Sequence, residues 1–254
     1  VFWSGSAPFI VVLSLAAAIG YGAVRADRRQ FAAALCLATV ISGAAVSTQA
    51  LAENRQIHCY TAAFEKNLLQ IFSYGGHAIV IGHLSGQSQI EQAALELQRE
   101  NVHTIDALIL LPSGGSPRVS LSALTGQFLV VAAAYSPEDN LSTQAAESLT
   151  GIPTHHFAGL SLAFWQNGII HLYEGGMASI RIGSKKLLIL PSDCAILYEK
   201  ESVWDLAVTS WDISPPVTAE ALLCARHFWG TENQNPNAYL LPYGRGIRFR
   251  IPTD

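Results

Sequence analysis

Apolar residues run almost unbroken through the first 52 positions and then give way to shorter patterns. Pro8 to Val24 and Phe31 to Ala52 are each close to the ~20 residues that carry a helix across a bilayer core. Phe2 and Trp3 extend the first run with an interfacial anchor, and the many Ala, Gly and Ser residues suit close packing between membrane helices. Ser47 to Ala52 also reads as a signal-peptide cleavage region, but a signal would stand first and another apolar run precedes this one. The pattern predicts two transmembrane helices over residues 1–52 and a folded domain over residues 53–254.

Beyond residue 52 the periods are those of a mixed domain. Gln56 to Ala63 and Asn67 to Phe72 read as strands, Tyr74-Gly75-Gly76 as a tight turn, and His77 to His83 as the returning strand. Ser88 to Asn101 places Ile90, Ala93, Ala94, Leu95 and Leu97 at helical spacing, with Ser88 as its cap. The strand Asp106 to Leu111 follows, so a strand, a helix and a strand form a crossover that predicts a parallel pair. A short helix around Leu121 to Gly126, the strand Phe128 to Ala134 and a helix Ser142 to Leu149 come next. Short strands at close spacing then form a meander: Leu160 to Trp165, Ile169 to Tyr173, Ala178 to Ile182 and Lys186 to Leu190. Trp204 to Thr209 reads as a strand and Val217 to His227 as a helix, and Ala238 to Leu241 with Gly246 to Ile251 read as a closing hairpin around Tyr243-Gly244-Arg245. The sum is an α/β domain with two mixed sheets and helices outside.

Charge orients this picture. Half the residues are apolar and 13% are charged. The first 52 residues hold four charges, Arg25, Asp27, Arg28 and Arg29, and their basic excess favours the cytoplasmic side. Everything after Ala52 is then expected on the extracytoplasmic side of the membrane. The chain begins at Val1, which predicts a piece or processed product of something longer. The remainder is acidic, against a general phosphate-binding surface. Cys36 falls in an apolar run. Cys59, Cys194 and Cys224 are far apart and without a CxxC pattern, so they allow one disulfide and one free thiol or, the reading taken here, isolated buried thiols.

Candidate chemistry is sparse. The strand Ile105 to Leu111 runs into Pro112-Ser113-Gly114-Gly115-Ser116-Pro117, where an α/β enzyme would place reacting groups, yet this loop holds no His, acid, Cys or Lys. Gly114 and Gly115 suggest an anion nest without a P-loop lysine, and Ser113 or Ser116 lacks a visible base. His155 and His156, adjacent on a strand, face opposite ways. His77, His83 and His171 lie in strands. Asp193 with Glu199 reads as turn chemistry rather than a carboxylate pair, Lys185-Lys186 as a solvated hairpin, and Trp204, Trp211 and Trp229 as core. Arg245, Arg248 and Arg250 form the basic cluster, with Arg248 and Arg250 on one face of the last strand as nucleic-acid candidates.

The hairpin and helix from Tyr74 to Leu111 with its Ile105-Asp106-Ala107-Leu108-Ile109-Leu110 strand, the pair Ala178 to Ile182 and Lys186 to Asp193, and the closing Gly244 to Ile251 resemble the C-terminal metallo-β-lactamase-like domain of ComEC-type DNA-uptake (competence) membrane proteins. The resemblance implies an αββα sandwich preceded by two transmembrane helices. It also implies a two-zinc site, and here the motifs depart from it. Ala62 to Lys66 stands where that family has Asp-Val-Gly-Gln-Gly, Gly82 where it has a hairpin Asp, Leu111 to Pro117 where it has a His- and Asp-rich loop, and Ser210 to Ser214 where it has His-His-Gly-Ser. Asp193 is the surviving ligand position. One Asp does not make a two-metal site, so the expectation is a non-catalytic domain with no metal and no cofactor, structural or DNA-handling. Its partners would be membrane lipid, single-stranded DNA and other competence components. A divergent phosphodiesterase or nuclease using His77, His155 and Asp193, and a membrane-tethered binding module unrelated to DNA, are the alternatives.

Overall fold

A computed structural model describes residues 36, 38–41, 56–112, 118–137, 139–157, 159–191, 203–210, 217–225 and 238–252. The chain divides into two compact units, Val1–Gln56 and Ile57–Asp254. In the first, the described residues 36 and 38–41 are helical; the expected membrane spans otherwise lie outside the described residues. No helix among the described residues is long and apolar enough to cross a membrane.

The second unit is two mixed sheets. The first has the order β15-β1-β2-β3-β4-β6-β7, built from Gln56–Phe64 (β1), Asn67–Tyr74 (β2), His77–Gly82 (β3), Thr104–Leu110 (β4), Ala133–Tyr135 (β6), Thr154–His156 (β7) and Gly246–Pro252 (β15), with Leu129–Val130 (β5) also paired to β4. The second has the order β14-β13-β12-β11-β10-β9-β8, from Ser161–Phe164 (β8), Gly168–Leu172 (β9), Ala178–Ile182 (β10), Lys185–Leu190 (β11), Val203–Thr209 (β12), Thr218–Cys224 (β13) and Ala238–Leu240 (β14). The helices are Gln87–Arg99 (α1), Ser122–Thr125 (α2) and Thr143–Ser148 (α3).

Alternation decides which side chains meet. Odd positions of β1 (Ile57, Cys59, Ala63) and even positions of β2 (Leu68, Phe72) face Ile180, Ile182, Leu187 and Ile189 of the second sheet, forming the inter-sheet core. The opposite face of the first sheet (Tyr60, Ala62, Leu69, Ile71) packs on Ile90, Ala93 and Leu97 of α1 and Leu124 of α2. Within the inter-sheet core Thr61 donates to Gln70, its direct partner across the β1–β2 ladder. Gly75 and Gly76, both at positive φ, let Tyr74 turn back into β3. The crossover through α1 leaves β3 and β4 parallel.

Several expectations are corrected. The αββα sandwich preceded by two transmembrane helices is not what forms: the described residues are mostly strand, in two mixed sheets. The described helices α1 and α2 pack on the first sheet, while the outward positions of the second sheet (Leu188, Leu190, Ala207, Leu222) form a further apolar cluster with Met177 and Trp204. The segment expected as a helix from Val217 is strand β13, parallel to both β12 and β14. A short apolar run such as Ala221-Leu222-Leu223-Cys224 suits a helix or a fully covered strand equally, and the slot beside β12 decides. The last two strands are no hairpin: β14 joins the second sheet and β15 the edge of the first. Phe128 to Ala134 breaks into β5 and β6. Ser88 does not cap α1; the cap position is Gly86, and Gln89 Oε1 accepts from the Ser85 and Gly86 amides at 3.0 and 3.4 Å.

Candidate functional site

In open α/β sheets ligands collect at the carboxyl ends of the parallel strands. Here β3 ends into His83, β4 into Leu111 and β6 into the segment carrying Asp139. Arg118 ties the three together. Its guanidinium donates to the His83 and Leu111 carbonyls and pairs with the Asp139 carboxylate, with Nε 2.7 Å from Oδ2. Both side chains are fully buried. Burial pushes the Arg118 guanidinium below its ordinary pKa, and Asp139 pulls it back by charge and hydrogen bond. Beside it, His83 Nδ1 accepts from the Leu68 amide at 2.9 Å. Among the described residues, the edge thus carries an ion pair and a backbone-bonded histidine. Sequence reading missed Arg118: it lies 21 residues from Asp139 and belongs to no local motif.

The remaining candidates scatter. His77, half exposed, bonds Asp106 at 2.9 Å, and Trp165 Nε1 donates to the other Asp106 oxygen at 2.6 Å. With Tyr74 stacked on Trp165 at 5.8 Å, this group joins the two sheets. His155 and His156 are both exposed on β7. His155 is level with Ala134, Ile109 and Ile81 along the ladder. It therefore lies three strands across and four residues along from His77, roughly 19 Å by strand spacing and rise, too far to share an ion. His171 bonds Ser161 at 2.8 Å. Among the described residues no group of three His, Cys, Asp or Glu converges. Ser113 to Pro117, Asp193, Cys194, Glu199, Trp211 and Trp229 lie outside the described residues. Trp204 is buried, as expected of a core residue, and Lys185 pairs with Asp205 at 2.5 Å. Burial would push the Asp205 carboxyl up, but the Lys185 ammonium and the Lys186 amide hold it below its ordinary value.

Arg248 and Arg250 are brought together, on the face of β15 turned toward α1. Arg248 forms a bidentate pair with Glu96 of α1 at 2.5 and 2.6 Å and lies over the Tyr60 ring at 5.3 Å. Gly246, two residues earlier, permits this approach, since a Cβ there would meet the Tyr60 ring at 2.0 Å. Arg250 is exposed and, among the described residues, has no hydrogen-bonded or ion-paired partner. The two arginines line a pocket of about 180 Å³ with His58, Ser73 and Glu100, its wall completed by Cys59, Tyr60, Ile71 and Phe249. His58 Nδ1 lies 2.6 Å from Glu100 Oε2 at the carboxyl end of α1. The hydrogen bond with His58 holds the Glu100 carboxyl below its ordinary value, burial opposes this, and the charges of His58, Arg248 and Arg250 add to the lowering.

A carboxylate with a depressed folded-state pKa adds stability that is present above its unfolded pKa and lost as pH falls through the folded one. The acid side of the stability curve, below about 4.3, is therefore expected to flatten in Glu100→Gln. Urea midpoints measured across that range check this.

On the other side of β15, Leu187, Leu206, Leu223, Tyr239, Ile247 and Phe249 line an apolar groove of about 460 Å³, and Arg250 borders both spaces. Cys59 and Cys224 are free and buried; burial pushes both thiols up, Cys224 to about 12. Native protein is expected to react with a thiol reagent at these two positions far more slowly than unfolded protein. No protein-family model and no curated protein sequence matches this chain.

Proposed function

We propose that residues 57–254 are a non-catalytic, extracytoplasmic module of a DNA-uptake membrane protein of the ComEC type, with a structural or DNA-handling role. The observation that carries this reading is the Arg118–Asp139 ion pair, which fills the strand-end edge where an enzyme of this class would hold its reacting groups. The two apolar runs flanking Arg25, Arg28 and Arg29 support the membrane context, and the exposed Arg250 of β15 supports contact with a phosphate backbone.

The test uses the full chain purified in mild detergent. It should bind single-stranded DNA with an affinity that falls as salt rises, and it should leave the DNA intact in zinc or manganese. Stoichiometric metal with nuclease activity that disappears in Asp193→Ala would overturn the non-catalytic reading. A nearly flat salt dependence would count against DNA. A membrane-tethered binding module unrelated to DNA is the second reading. The apolar groove favours it, since its volume falls within the range of small-molecule sites. Binding of a long-chain fatty acid that is lost in Leu206→Asp would select it.

A further inference from the structure

We infer that the pocket between β1, β2, β15 and the carboxyl end of α1 is a phosphate-binding site, with His58 and Arg250 as its contacts. In naming a nucleic-acid end as one source of that phosphate, the inference rests on the DNA-handling reading; the site itself does not. His58 and Ser73 are direct cross-strand partners, so their side chains stand on the same face of the sheet. Glu100 holds His58 through Nδ1, which leaves Nε2 for a ligand. That Nε2 is buried and, among the described residues, without a hydrogen-bond partner, an arrangement that is unfavourable unless a polar group meets it.

The charges decide what fills it. Arg248 is neutralised by its bidentate pair with Glu96, and Glu100 is hydrogen-bonded to His58. Arg250 has no hydrogen-bonded or ion-paired partner among the described residues, though its charge acts on Glu100, so the pocket presents an exposed guanidinium to a ligand. A histidine fixed by a carboxylate also suits a metal ligand, but guanidinium groups in the same small pocket oppose a cation. An oxyanion with both accepting and donating oxygens meets every requirement. Phosphate accepts from Arg250; it accepts from His58 Nε2 when the imidazole is protonated, and donates to it from P–OH when the imidazole is neutral. Ser73 supplies a further hydroxyl on the same wall. The pocket's volume of about 180 Å³, open to solvent beside Arg250, is large enough to admit a terminal phosphate.

The experiment compares inorganic phosphate with two oligothymidylates, one 5′-phosphorylated and one 5′-hydroxyl, on the full chain. Inorganic phosphate should raise the thermal midpoint of the native protein. The shift should vanish in Arg250→Met and His58→Gln and persist in Arg245→Met, which removes a neighbouring charge outside the pocket. The 5′-phosphorylated oligomer should bind about ten-fold more tightly than the hydroxyl form, the equivalent of one charge-assisted hydrogen bond, and the preference should disappear in Arg250→Met. No shift with inorganic phosphate, or equal loss in Arg245→Met, overturns the site. A shift with inorganic phosphate but no oligomer preference keeps the site and removes the strand end as its source. Oligomer binding indifferent to the 5′-phosphate and to Arg250, together with no inorganic-phosphate shift, overturns the site while leaving DNA handling intact.

Discussion

Arg118→Met is expected to destabilise the folded unit by about 3–5 kcal/mol, the range for removing one partner of a buried ion pair. Three consequences combine in this variant. Asp139, whose side chain is as buried as that of Arg118, loses the guanidinium that pairs with it. The carbonyls of His83 and Leu111 lose their donor. The ends of β3, β4 and β6 are then no longer tied through one side chain. Arg118→Met/Asp139→Leu is expected to be more stable than the single variant, because replacing both charges removes the desolvation penalty along with the attraction. Urea denaturation of the three proteins, read as a double-mutant cycle, checks this. A single variant within about 1 kcal/mol of the parent would show that the pair contributes little. The same measurement bears on function, since it asks whether this edge is held as a structural knot.

Phe72→Ala is expected to cost a similar amount, about 3–5 kcal/mol, by leaving a cavity between the sheets. Phe72 is fully buried, with Cys59 beside it on β1 and Ile79 beside it on β3. Its ring faces the second sheet, so neither α1 nor α2 can move in to fill the space. Phe72→Leu keeps most of the volume and should lose less than about 1.5 kcal/mol. The contrast between the two variants, measured as urea midpoints with the slope checked for constancy, separates a cavity effect from a general loss of fold. If Ala and Leu behave alike, the inter-sheet core is not packed around this ring.

Much of the strand inventory could be read locally. Ala178 to Ile182 was bounded correctly because Met177 and Gly183-Ser184 frame a five-residue alternation. The β2–β3 hairpin was legible because Gly75 and Gly76 can take the positive φ its turn demands. The candidate site was legible only in part. Arg248 and Arg250 could be placed on one face of a strand by period alone, but nothing in that period shows Glu96 waiting for Arg248 152 residues earlier in the chain while Arg250 has no ion-pair partner among the described residues. His58 drew no attention, because a lone histidine at the start of a strand gains meaning only when Glu100 stands beside it.

The helix expected from Val217 failed for a related reason. Ala221 to Cys224 is apolar without a decisive period, and only the open position beside β12 makes it a strand. The two closing strands read as a hairpin because they are close in sequence, yet the edges they complete, β13 and β1, belong to different sheets.

By itself the sequence determined what depends on neighbours along the chain: the turns, the strand alternation, the crossover through α1, and the lack of a metal-ligand motif after the Ile105 strand. Tertiary structure alone decided what depends on partners distant in the chain: which sheet each closing strand joins, the buried Arg118–Asp139 pair, and the pocket shared by His58, Glu100 and Arg250. The reason is physical. Backbone preferences and side-chain period act over a few residues, whereas a buried charge or an edge strand is stable only when a specific distant group satisfies it.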